Sequence, residues 1–391
     1  MIVLGSTGSI GTNTLEIAKK YNLDVEVLVA GENFKLLNKQ IKEFHPEHVV
    51  VKNKKTAEKI DFENILYGEE AILEILEKSR SNLVVNALVG EAGLKPTLKA
   101  QKLGKKIALA NKESLVIAGK FIDTLNITPI DSEHFGLWYL LNGKWKMENG
   151  KCINKHSQLK TQNLKLNDSN SSTHSSVHQF TKLYITASGG ALRDWPIEKI
   201  KNATLKDVLN HPNWSMGVKI TIDSATMVNK LFELLEAKWL FKTDKIDAFV
   251  ETKSVIHALV EWMDGSTTAH ISKTDMKLPI AYAVLGEVKR NILKPVNLLE
   301  VGNIEFRKIE KERYPIWEIK DLLLEKSDLG IVINTANEYS INKFLKNEIS
   351  FSDISRIILK TIKKFENIKI NKTNDIFEIK KEVLNYLKGR N

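Results

Sequence analysis

The sequence predicts an α/β protein that starts with a doubly wound, mainly parallel sheet and continues into an α+β unit and a small helical unit. Three observations support this prediction. Short β-branched runs alternate with stretches of helical spacing over residues 2–130. Strand-like runs surround one strong helical stretch over residues 183–272, and from residue 316 onward apolar residues recur at helical spacing. A chain of 391 residues has material for two or three packed cores, so several domains are expected.

The N-terminal domain is predicted over residues 1–130. Its expected strands read IVLG, VEVLVAG, HVVVK, LVVNALVG, KIALAN and ITPID. Strands that alternate with helices pair in parallel through crossover helices, which gives a Rossmann-like sheet. Such sheets bind ligands at the carboxyl ends of their strands, so functional residues are expected there.

The central domain is predicted over residues 131–295. It contains a polar excursion of about residues 142–182, which has too few apolar residues to form a core, and a loop at residues 211–217. Its strand-like runs are LYITASGG, VKITIDS, SVIHALVEW and TTAHIS. Irregular residues 296–315 form a linker, and residues 316–391 form a small helical C-terminal domain.

The composition favours a cytoplasmic protein with a small-molecule ligand. Cys152 is the single cysteine, so no disulfide can form within the chain and a reducing compartment is expected. A strand that begins at residue 2 leaves no room for an export signal, and no apolar run approaches the roughly 20 residues that cross a bilayer. The net charge of +10 comes from lysines spread along the chain, which is typical of solvated surface and weakly favours anionic ligands such as phosphates. Neither nucleic acid nor a membrane is an expected partner, since no basic and aromatic stripe appears.

The first turn, GSTGSIG, places Gly5, Gly8 and Gly11 between a strand and a helix. Glycines let the backbone approach a pyrophosphate, and the free amides of the helix start bind its charge. The spacing departs from the strict dinucleotide fingerprint, so a plain tight turn stays an alternative. The turn therefore favours a dinucleotide site without proving one.

Glu32 follows the second strand, where an acidic residue would bind a ribose 2′-hydroxyl and favour NAD. Lys35 or Lys52 could instead meet the 2′-phosphate of NADP. These residues leave the choice of coenzyme open.

In the stretch IDSEHFG, Asp131 and Glu133 stand two residues apart. On an extended strand both carboxylates would share a face and could bind one hard cation. The alternative is that Asp131 or Ser132 caps the following helix while Glu133 is solvated. Lys112, in LANKES, stands either beside a substrate at the end of a strand or exposed at the start of a helix.

The stretch ATMVNKLFELLEAKWLF predicts a helix with one apolar and one polar face. The apolar face carries Val228, Phe232, Leu235 and Trp239, and the polar face carries Asn229, Lys230 and Glu233. That polar face offers a third carboxylate, although surface helices commonly carry Lys and Glu three apart.

Two loops complete the candidate site. TASGGALR offers Ser188 and exposed amides for phosphate or hydroxyl groups. HPNWSMG, residues 211–217, carries His211, Trp214 and Gly217 and could close over a ligand and exclude water. The alternative is that its apolar residues only pack the loop onto the domain.

Together these stretches resemble the 1-deoxy-D-xylulose 5-phosphate reductoisomerase family of the non-mevalonate isoprenoid pathway. The resemblance covers most of the chain except the polar excursion and the last part of the C-terminus. The matching stretches, in family order, are LGSTGSIG, ALVGEAGLKPTL, LANKESLV, DSEH, SGGALR, HPNWSMGVKITIDSATMVNK, LFELLEAKWLF, SVIHALVEW and NTANE.

The resemblance implies an N-terminal NADPH domain, a central catalytic domain, a helical C-terminal domain and a homodimer. It implies that one divalent cation, Mg²⁺ or Mn²⁺, binds to Asp131, Glu133 and Glu233. The catalytic residues it implies are Lys112, Glu133 and His211. The substrate-binding residues it implies are Lys112, Ser132, Glu133, Ser188, His211, Trp214, Ser224, Asn229, Lys230 and Glu233. The nucleotide-binding residues it implies are Thr7, Gly8, Ser9, Ile10, Gly31, Glu32, Asn33, Asn111, Glu113 and Gly217.

The implied reaction is the NADPH-dependent isomerisation and reduction of 1-deoxy-D-xylulose 5-phosphate to 2-C-methyl-D-erythritol 4-phosphate. The cation would chelate vicinal oxygens of the ketose, and residues 211–217 would form a flap with Trp214 over the substrate. Two alternatives are a simple NAD(P)-dependent dehydrogenase of a phosphorylated metabolite and a non-catalytic nucleotide sensor. Departures from the family pattern are Glu32, where a basic residue is usual, and Leu231 with Phe232, where a small residue is common.

Overall fold

The structure is a computed structural model, and it describes residues 1–142, 145–148, 151–154, 179–214 and 216–389. Most of the predicted polar excursion, together with Ser215 of the predicted flap, lies outside the described residues. Among the described residues, no helix combines the length and apolar character needed to cross a membrane.

The N-terminal part is a doubly wound parallel sheet, as predicted. Its strands are β1 (Ile2–Leu4), β2 (Val27–Ala30), β3 (His48–Val51), β4 (Leu66–Tyr67), β5 (Leu83–Asn86), β6 (Lys106–Leu109) and β7 (Ile127–Pro129). Its helices are α1 (Ser9–Lys20), α2 (Phe34–Phe44), α3 (Lys54–Ala57), α4 (Glu69–Lys78), α5 (Leu94–Lys102) and α6 (Lys112–Ala118). The sheet order is β4-β3-β2-β1-β5-β6-β7, so the direction of winding reverses between β1 and β5. That switch point is where open α/β sheets bind their ligands.

The apolar runs explain these strands. Residues of β1 and β2 are buried along their whole length because helices cover both faces of the sheet. The two-residue strand β4 was not predicted, since a pattern that short carries no periodicity.

The central part is built around a mixed sheet, as predicted. Its elements are α7 (Ser132–Asn142), β8 (Trp145–Glu148), β9 (Lys151–Asn154), β10 (Phe180–Ala187), α8 (Ile197–Ile200), α9 (Leu205–Leu209), α10 (Val218–Thr226), α11 (Val228–Phe241), β11 (Ile246–Glu251), β12 (Ile256–Trp262), β13 (Thr267–Ile271), α12 (Lys277–Leu285), α13 (Leu298–Val301) and β14 (Phe306–Arg307). In the described chain five strands form the sheet, in the order β13-β12-β10-β11-β14, and β10 with β11 is its parallel pair. The strands β8 and β9 pair separately.

Two local predictions are wrong. VKITIDS is the helix α10 and not a strand, because Ile222 and Ala225 are buried at helical spacing against α9 and α11 and this packing overrides the alternating pattern. Glu133 lies in the first turn of α7 and not on an extended strand. The predicted linker, residues 296–315, stays a prediction; it contains the short helix α13 and the strand β14, which pairs with β11 and is too short to show a pattern.

The C-terminal part is helical, as predicted. Its helices are α14 (Lys320–Glu325), α15 (Gly330–Leu345), α16 (Phe351–Lys364) and α17 (Thr373–Leu387). Short 3₁₀ turns occur at Gly90–Gly93, Gly119–Phe121, Thr124–Asn126, Pro315–Ile319 and Ser327–Leu329. Helix α15 packs on α16, α17 and α6, and a side chain at Gly330 would come within 1.9 Å of the Val116 carbonyl oxygen. The glycine therefore lets α15 dock directly on α6.

The domain boundaries stay predictions, but the packing shows how the parts meet. Helix α12 lies within the range predicted for the central domain, yet it packs on α1, and Ile280 and Ala281 join the core beneath the parallel sheet. Helix α6 contacts both α11 and α15. All three parts therefore converge around the start of α6.

Candidate active site

A cavity of about 450 Å³ lies between the carboxyl edge of the parallel sheet and the helices α10 and α11. It lies at the β1–β5 switch point, where Gly8 and Ala87 line it. The sequence-predicted residues that line it are Gly8, Ser9, Ile10, Lys112, Glu113, Asp131, Ser132, Glu133, Ser188, His211, Trp214, Gly217, Ser224, Asn229, Lys230 and Glu233. Every residue predicted for metal and substrate thus lines one cavity.

The glycine turn after β1 is built for close backbone approach. Gly5 has a φ of +89°, a conformation that favours glycine, and a side chain on Gly11 would lie 2.2 Å from the Gly5 carbonyl oxygen. In the described chain no side chain caps the start of α1 at Gly8. The amides of its first turn are therefore oriented toward the cavity with the positive end of the helix dipole.

Helix α10 brings a second helix start to the cavity. Gly217 precedes it, and in the described residues no side chain caps this end either. Gly217, Val218 and Lys219 all line the cavity. Two helix N-termini thus face the same space, which favours an anionic ligand.

Lys112 is buried at the centre of the site. The side chain of Asn111 accepts a hydrogen bond from the Ser114 amide at 3.1 Å and so starts α6 at Lys112. The Lys112 ammonium donates to Asp131 Oδ2 at 2.9 Å, to Asn229 Oδ1 at 2.8 Å and to Glu233 Oε1 at 2.7 Å. Burial lowers the pKa of Lys112, but the carboxylates of Asp131 and Glu233 outweigh it and raise the pKa well above its usual value.

Asp131 caps helix α7, one of the two alternatives left open by the sequence, while the other, cation binding, stays a prediction. Its carboxylate accepts from the Glu133 amide at 3.2 Å, and its carbonyl accepts from the Phe135 amide at 2.8 Å, which is helix capping. The same carboxylate faces Lys112. Capping and charge pairing are therefore performed by one side chain.

Three carboxylates come together here: carboxylate oxygens of Asp131, Glu133 and Glu233 lie within 4.8 Å of one another. We call these residues the acidic cluster. Burial, with the nearby carboxylates, raises the pKa of Glu133 to about 7, although Lys230 at 3.4 Å opposes this rise. Burial raises the pKa of Asp131, but Lys112 outweighs it and holds that pKa well below its usual value.

The polar face of α11 supplies the third carboxylate. Met227, in the left-handed conformation with a φ of +71°, separates α10 from α11. Val228, Phe232 and Leu235 are buried in the core, as predicted. Glu233 is equally buried, and it accepts from Asn229 Nδ2 at 2.5 Å and from Lys230. This face therefore lies inside the molecule and not on the surface.

His134 and Glu236 were not predicted as site residues. His134 is fully buried; its Nδ1 lies 3.1 Å from Asp131 Oδ1 and 3.3 Å from Glu236 Oε2, and its Nε2 donates to the Glu233 carbonyl at 2.8 Å. Burial lowers the pKa of His134, but the carboxylates of Glu236 and Asp131 raise it to about 9. Glu236 follows Glu233 by three residues on one helix face, so helical spacing could have identified it. Met276 also lines the cavity, and no sequence signal marks it.

The acidic cluster carries a negative excess. Together with Glu236 it has four carboxylates, and Lys112, Lys230 and His134 supply three cations, so one negative charge remains if all are ionised. Hard oxygen donors with a negative excess suit a divalent cation such as Mg²⁺.

Ser188 and His211 form a neutral pair at the end of β10. His211 Nδ1 accepts from the Trp214 amide at 2.9 Å and the Asn213 amide at 3.2 Å, so Nε2 carries the proton and donates to Ser188 Oγ at 2.9 Å. Burial and then Arg193 lower the pKa of His211 to about 4. His211 is therefore a neutral hydrogen-bond donor over the ordinary pH range.

The structure leaves five predicted nucleotide residues outside the cavity lining: Thr7, Gly31, Glu32, Asn33 and Asn111. Glu32 is exposed after β2 and forms an ion pair with Lys52 at 2.9 Å. The side chain of Asn111 is buried, and its Nδ2 donates to the carbonyls of Leu88 and Gly90. These five residues stay predictions as nucleotide contacts.

The doubly wound sheet with its glycine turn opening on a buried lysine and a carboxylate cluster defines a dinucleotide-binding oxidoreductase. Family models described as 1-deoxy-D-xylulose 5-phosphate reductoisomerase match residues 1–119, and models of the C-terminal domains of that enzyme match residues 127–241 and 271–386. The chain belongs to the 1-deoxy-D-xylulose 5-phosphate reductoisomerase family, as the sequence motifs predicted.

Relatives and solved structures agree with this assignment. The reductoisomerase of Nautilia profundicola is 70% identical over 383 residues, 98% of each chain, and that of Helicobacter pylori strain G27 is 44% identical over the full length of both chains. A crystal structure of a reductoisomerase in complex with NADPH, fosmidomycin and magnesium superposes with a TM-score of 0.85 at 33% identity, covering 100% of this chain and 97% of that one. The Zymomonas mobilis enzyme in complex with NADPH gives a TM-score of 0.78 at 29% identity, covering 98% and 96% of the two chains.

Proposed function

We propose that this protein converts 1-deoxy-D-xylulose 5-phosphate to 2-C-methyl-D-erythritol 4-phosphate, using NADPH and one divalent cation, in isoprenoid precursor biosynthesis. The observation that carries the proposal is the convergence of Asp131, Glu133 and Glu233 beside Lys112, in a cavity that also contains the glycine turn of α1. A simple dehydrogenase and a nucleotide sensor are less well supported, because neither needs a buried carboxylate cluster.

The acidic cluster is the proposed cation site. Asp131 precedes α7, Glu133 lies in its first turn and Glu233 lies in the second turn of α11, and together these positions hold the three carboxylates within reach of one ion. Mg²⁺ or Mn²⁺ bound there would polarise the vicinal oxygens of the ketose and stabilise negative charge that develops on them.

The carboxyl edge around β1 is the proposed nucleotide site. Gly8, Ser9 and Ile10 offer backbone amides for the pyrophosphate. Glu113 and Gly217 line the same cavity on the side of the acidic cluster. NADPH bound there would supply the hydride.

The substrate is proposed to lie between these two sites. Ser188, Ser224 and Asn229 present hydroxyl and amide groups, and the neutral His211 presents an N–H donor. Lys230 supplies positive charge for the phosphate group. Ser132, which donates to Glu133 Oε2 at 2.5 Å, holds that carboxylate while facing the same space.

Lys112 is proposed to stabilise charge and to order protons at the reacting centre. Its ammonium stays charged because carboxylates surround it, so it stabilises developing negative charge rather than acting as a base. Trp214, which packs edge-on to His257 with ring centroids 6.0 Å apart, would shield the site from water.

The direct test is NADPH oxidation with the ketose phosphate and Mg²⁺, followed by absorbance and by identification of the product. Turnover that disappears with a chelator and returns with Mg²⁺ or Mn²⁺ is expected. Turnover that survives complete chelation would favour a metal-free dehydrogenase, and nucleotide binding without any turnover would favour a sensor.

We also propose that the enzyme is a cytoplasmic homodimer. Tyr184, Phe249 and Phe306 pack against one another along the mixed sheet in tilted and edge-on arrangements, with ring centroids 5.4 and 5.0 Å apart, and Phe306 is 48% exposed. A second copy of the chain is the proposed partner of this apolar face. Sedimentation is expected to give twice the chain mass, and Phe306→Glu is expected to shift it toward the monomer. The single cysteine supports a reducing compartment, which cell fractionation would test.

A further inference from the structure

The NTANE stretch of α15 lies outside the cavity lining, yet two consecutive residues of it contact Asp223, which lines the cavity, and Gly90, which follows the lining residue Val89. Asn337 is fully buried, and its Nδ2 donates to Asp223 Oδ1 of α10 at 2.7 Å. The neighbouring Glu338 packs against Gly90, where an added side chain would lie 2.7 Å from Glu338 Oε1. The C-terminal helices therefore contact both the α10 wall and the turn that follows β5.

Asp223 connects Asn337 to residues that line the cavity. Its second oxygen, Oδ2, accepts from Lys219 Nζ at 2.9 Å, and the same ammonium donates to Glu113 Oε1 at 2.9 Å. Asp223, Lys219 and Glu113 all line the cavity, and Glu113 follows Lys112 at the start of α6. We call Asn337, Asp223, Lys219 and Glu113 the brace.

The brace fixes the relative position of two helix starts. Lys219 lies in the first turn of α10, two residues after Gly217, and Glu113 lies in the first turn of α6. A second tie runs from α17, where Lys380 pairs with Glu91 in the Gly90–Gly93 turn. Positions that differ by about 1 Å at a reacting centre can change rates by about a hundredfold, so this spacing matters for catalysis.

We propose that Asn337 is a positioning residue of the active site: through Asp223 and Lys219 it holds the start of α10 in register with Glu113. It touches neither substrate nor nucleotide itself. This role gives the C-terminal helices a function in organising the site.

The first test compares Asn337→Ala with Ser340→Ala. Ser340 is a matched control because it is equally buried on α15 and donates only to the Ala336 carbonyl, at 2.7 Å. We expect Asn337→Ala to lower kcat by roughly 10- to 100-fold and to weaken NADPH binding, measured by calorimetry, because Glu113 and Gly217 belong to the proposed nucleotide site. Ser340→Ala should keep kcat within about twofold. Equal kcat values in the two variants, at equal folded fraction, would overturn the proposal.

A second readout does not depend on the proposed reaction. Trypsin cleavage after Lys219 should be at least about fivefold faster in Asn337→Ala than in Ser340→Ala, because local opening of α10 becomes more frequent. Unchanged cleavage would contradict the brace even if the enzymatic assignment holds. If Asn337→Ala is cleaved faster but the wild type shows no turnover, the brace would be supported and the proposed reaction would be refuted.

An exchange variant covers the case in which Asn337→Ala does not fold. Asn337→Asp places two carboxylates together and should lose activity strongly, whereas the double variant with Asp223→Asn can rebuild every hydrogen bond of the brace. Recovery of kcat by at least about tenfold in the double variant is expected. A double variant no better than Asn337→Asp would count against a specific link between the two positions.

Discussion

Carboxylates stand at opposite edges of the same parallel sheet, the buried Glu26 at the amino edge and the acidic cluster at the carboxyl edge, and they are stabilised in different ways. At the amino edge, Glu26 accepts from Ser79 Oγ and the Ser81 amide at 2.8 Å and from the Arg80 amide at 3.0 Å. At the carboxyl edge, the acidic cluster forms ion pairs with the ammonium groups of Lys112 and Lys230. Neutral hydrogen-bond donors from one loop therefore stabilise Glu26, whereas ammonium groups from separate helices offset part of the negative charge of the acidic cluster.

The pKa values follow this difference. Burial raises the pKa of Glu26, but the serine hydroxyls and backbone amides outweigh it and hold the pKa at about 2. Burial and neighbouring carboxylates raise the pKa of Glu133 to about 7. Glu26, whose hydrogen bonds come from residues 79–81, therefore has a structural role. Glu133, whose pKa is near 7 and which lies beside Lys230, can exchange its partners. The grouping of Glu26, Glu47 and His48 is therefore less suited to a cation, although these residues also lie close together.

The largest expected effect comes from Glu233→Gln. It should lower kcat/KM at least about a thousandfold, because the cation loses a ligand and Lys112 loses a partner. Steady-state kinetics with calorimetry on NADPH would measure this, with the nucleotide dissociation constant expected within about threefold of wild type. Turnover near the wild-type rate would refute the cation assignment.

Glu26→Gln should act on stability and not on chemistry. Removing the charged acceptor should lower the free energy of unfolding by about 2 kcal/mol, while kcat of the folded enzyme stays unchanged. Because the folded pKa of Glu26 is depressed, its stabilisation is present above pH 4.5 and is lost as pH falls toward 2. The stability gap between wild type and variant should therefore close in that window, which urea titrations at several pH values can follow. A gap that widens in acid would contradict this account.

Cation binding should depend on pH through Glu133. Since a proton must leave this carboxyl before it can bind a metal, Mn²⁺ affinity should fall by about tenfold per pH unit below about pH 7. Calorimetry or electron paramagnetic resonance would measure it. Glu236, whose pKa burial also raises to about 7, provides the control: Glu236→Gln should keep the pH dependence if Glu133 is the group responsible.

The smallest expected effect concerns an exposed carboxylate. Glu32→Gln removes a negative charge beside Lys52, so NADP⁺ should bind about two- to fivefold more tightly while NAD⁺ binds no better. Calorimetry with both nucleotides would show it. Lys42→Met is a control, because Lys42 forms a comparably exposed pair with Asp61 near the other end of α2. If Glu32→Gln weakened NADP⁺ binding, the carboxylate would instead be helping to hold the nucleotide.

Much of the fold could be predicted because it is encoded locally. The six expected strands of the parallel sheet exist, and on the apolar face of α11 Val228, Phe232 and Leu235 are buried as helical spacing indicates, while Trp239 is partly buried. Helix α10 was misread because Val218, Ile220 and Ile222 alternate with polar residues, and only their packing on neighbouring helices decides against a strand. The strands β4 and β14 are two residues long and leave no pattern to detect.

The site residues could be predicted where they form a short sequence motif, but not where the contact joins residues far apart in the sequence. Asp131 and Glu133 are close in sequence, but the Lys112–Glu233 contact spans 121 positions, so only the resemblance to a known family linked them. Residues such as Met276 and Asn337 reach the site or its supports through tertiary packing alone. Asn337 lies in the matching stretch NTANE, but neither periodicity nor motif chemistry indicated its contact with Asp223, and nothing in the sequence marks Met276.

The seam between the parallel sheet and α11 has a consequence for how the molecule loses activity. Lys112 lies in α6 on one side of this interface, and Glu233 lies in α11 on the other side. Neither side alone therefore contains the complete set of proposed catalytic and metal-binding residues. Mild denaturation that shifts α11 relative to α6 would separate Lys112 from Glu233 and abolish turnover before much helix content is lost. The turnover rate therefore reports on the docking of α11 against the parallel-sheet domain more sensitively than a measurement of helix content does.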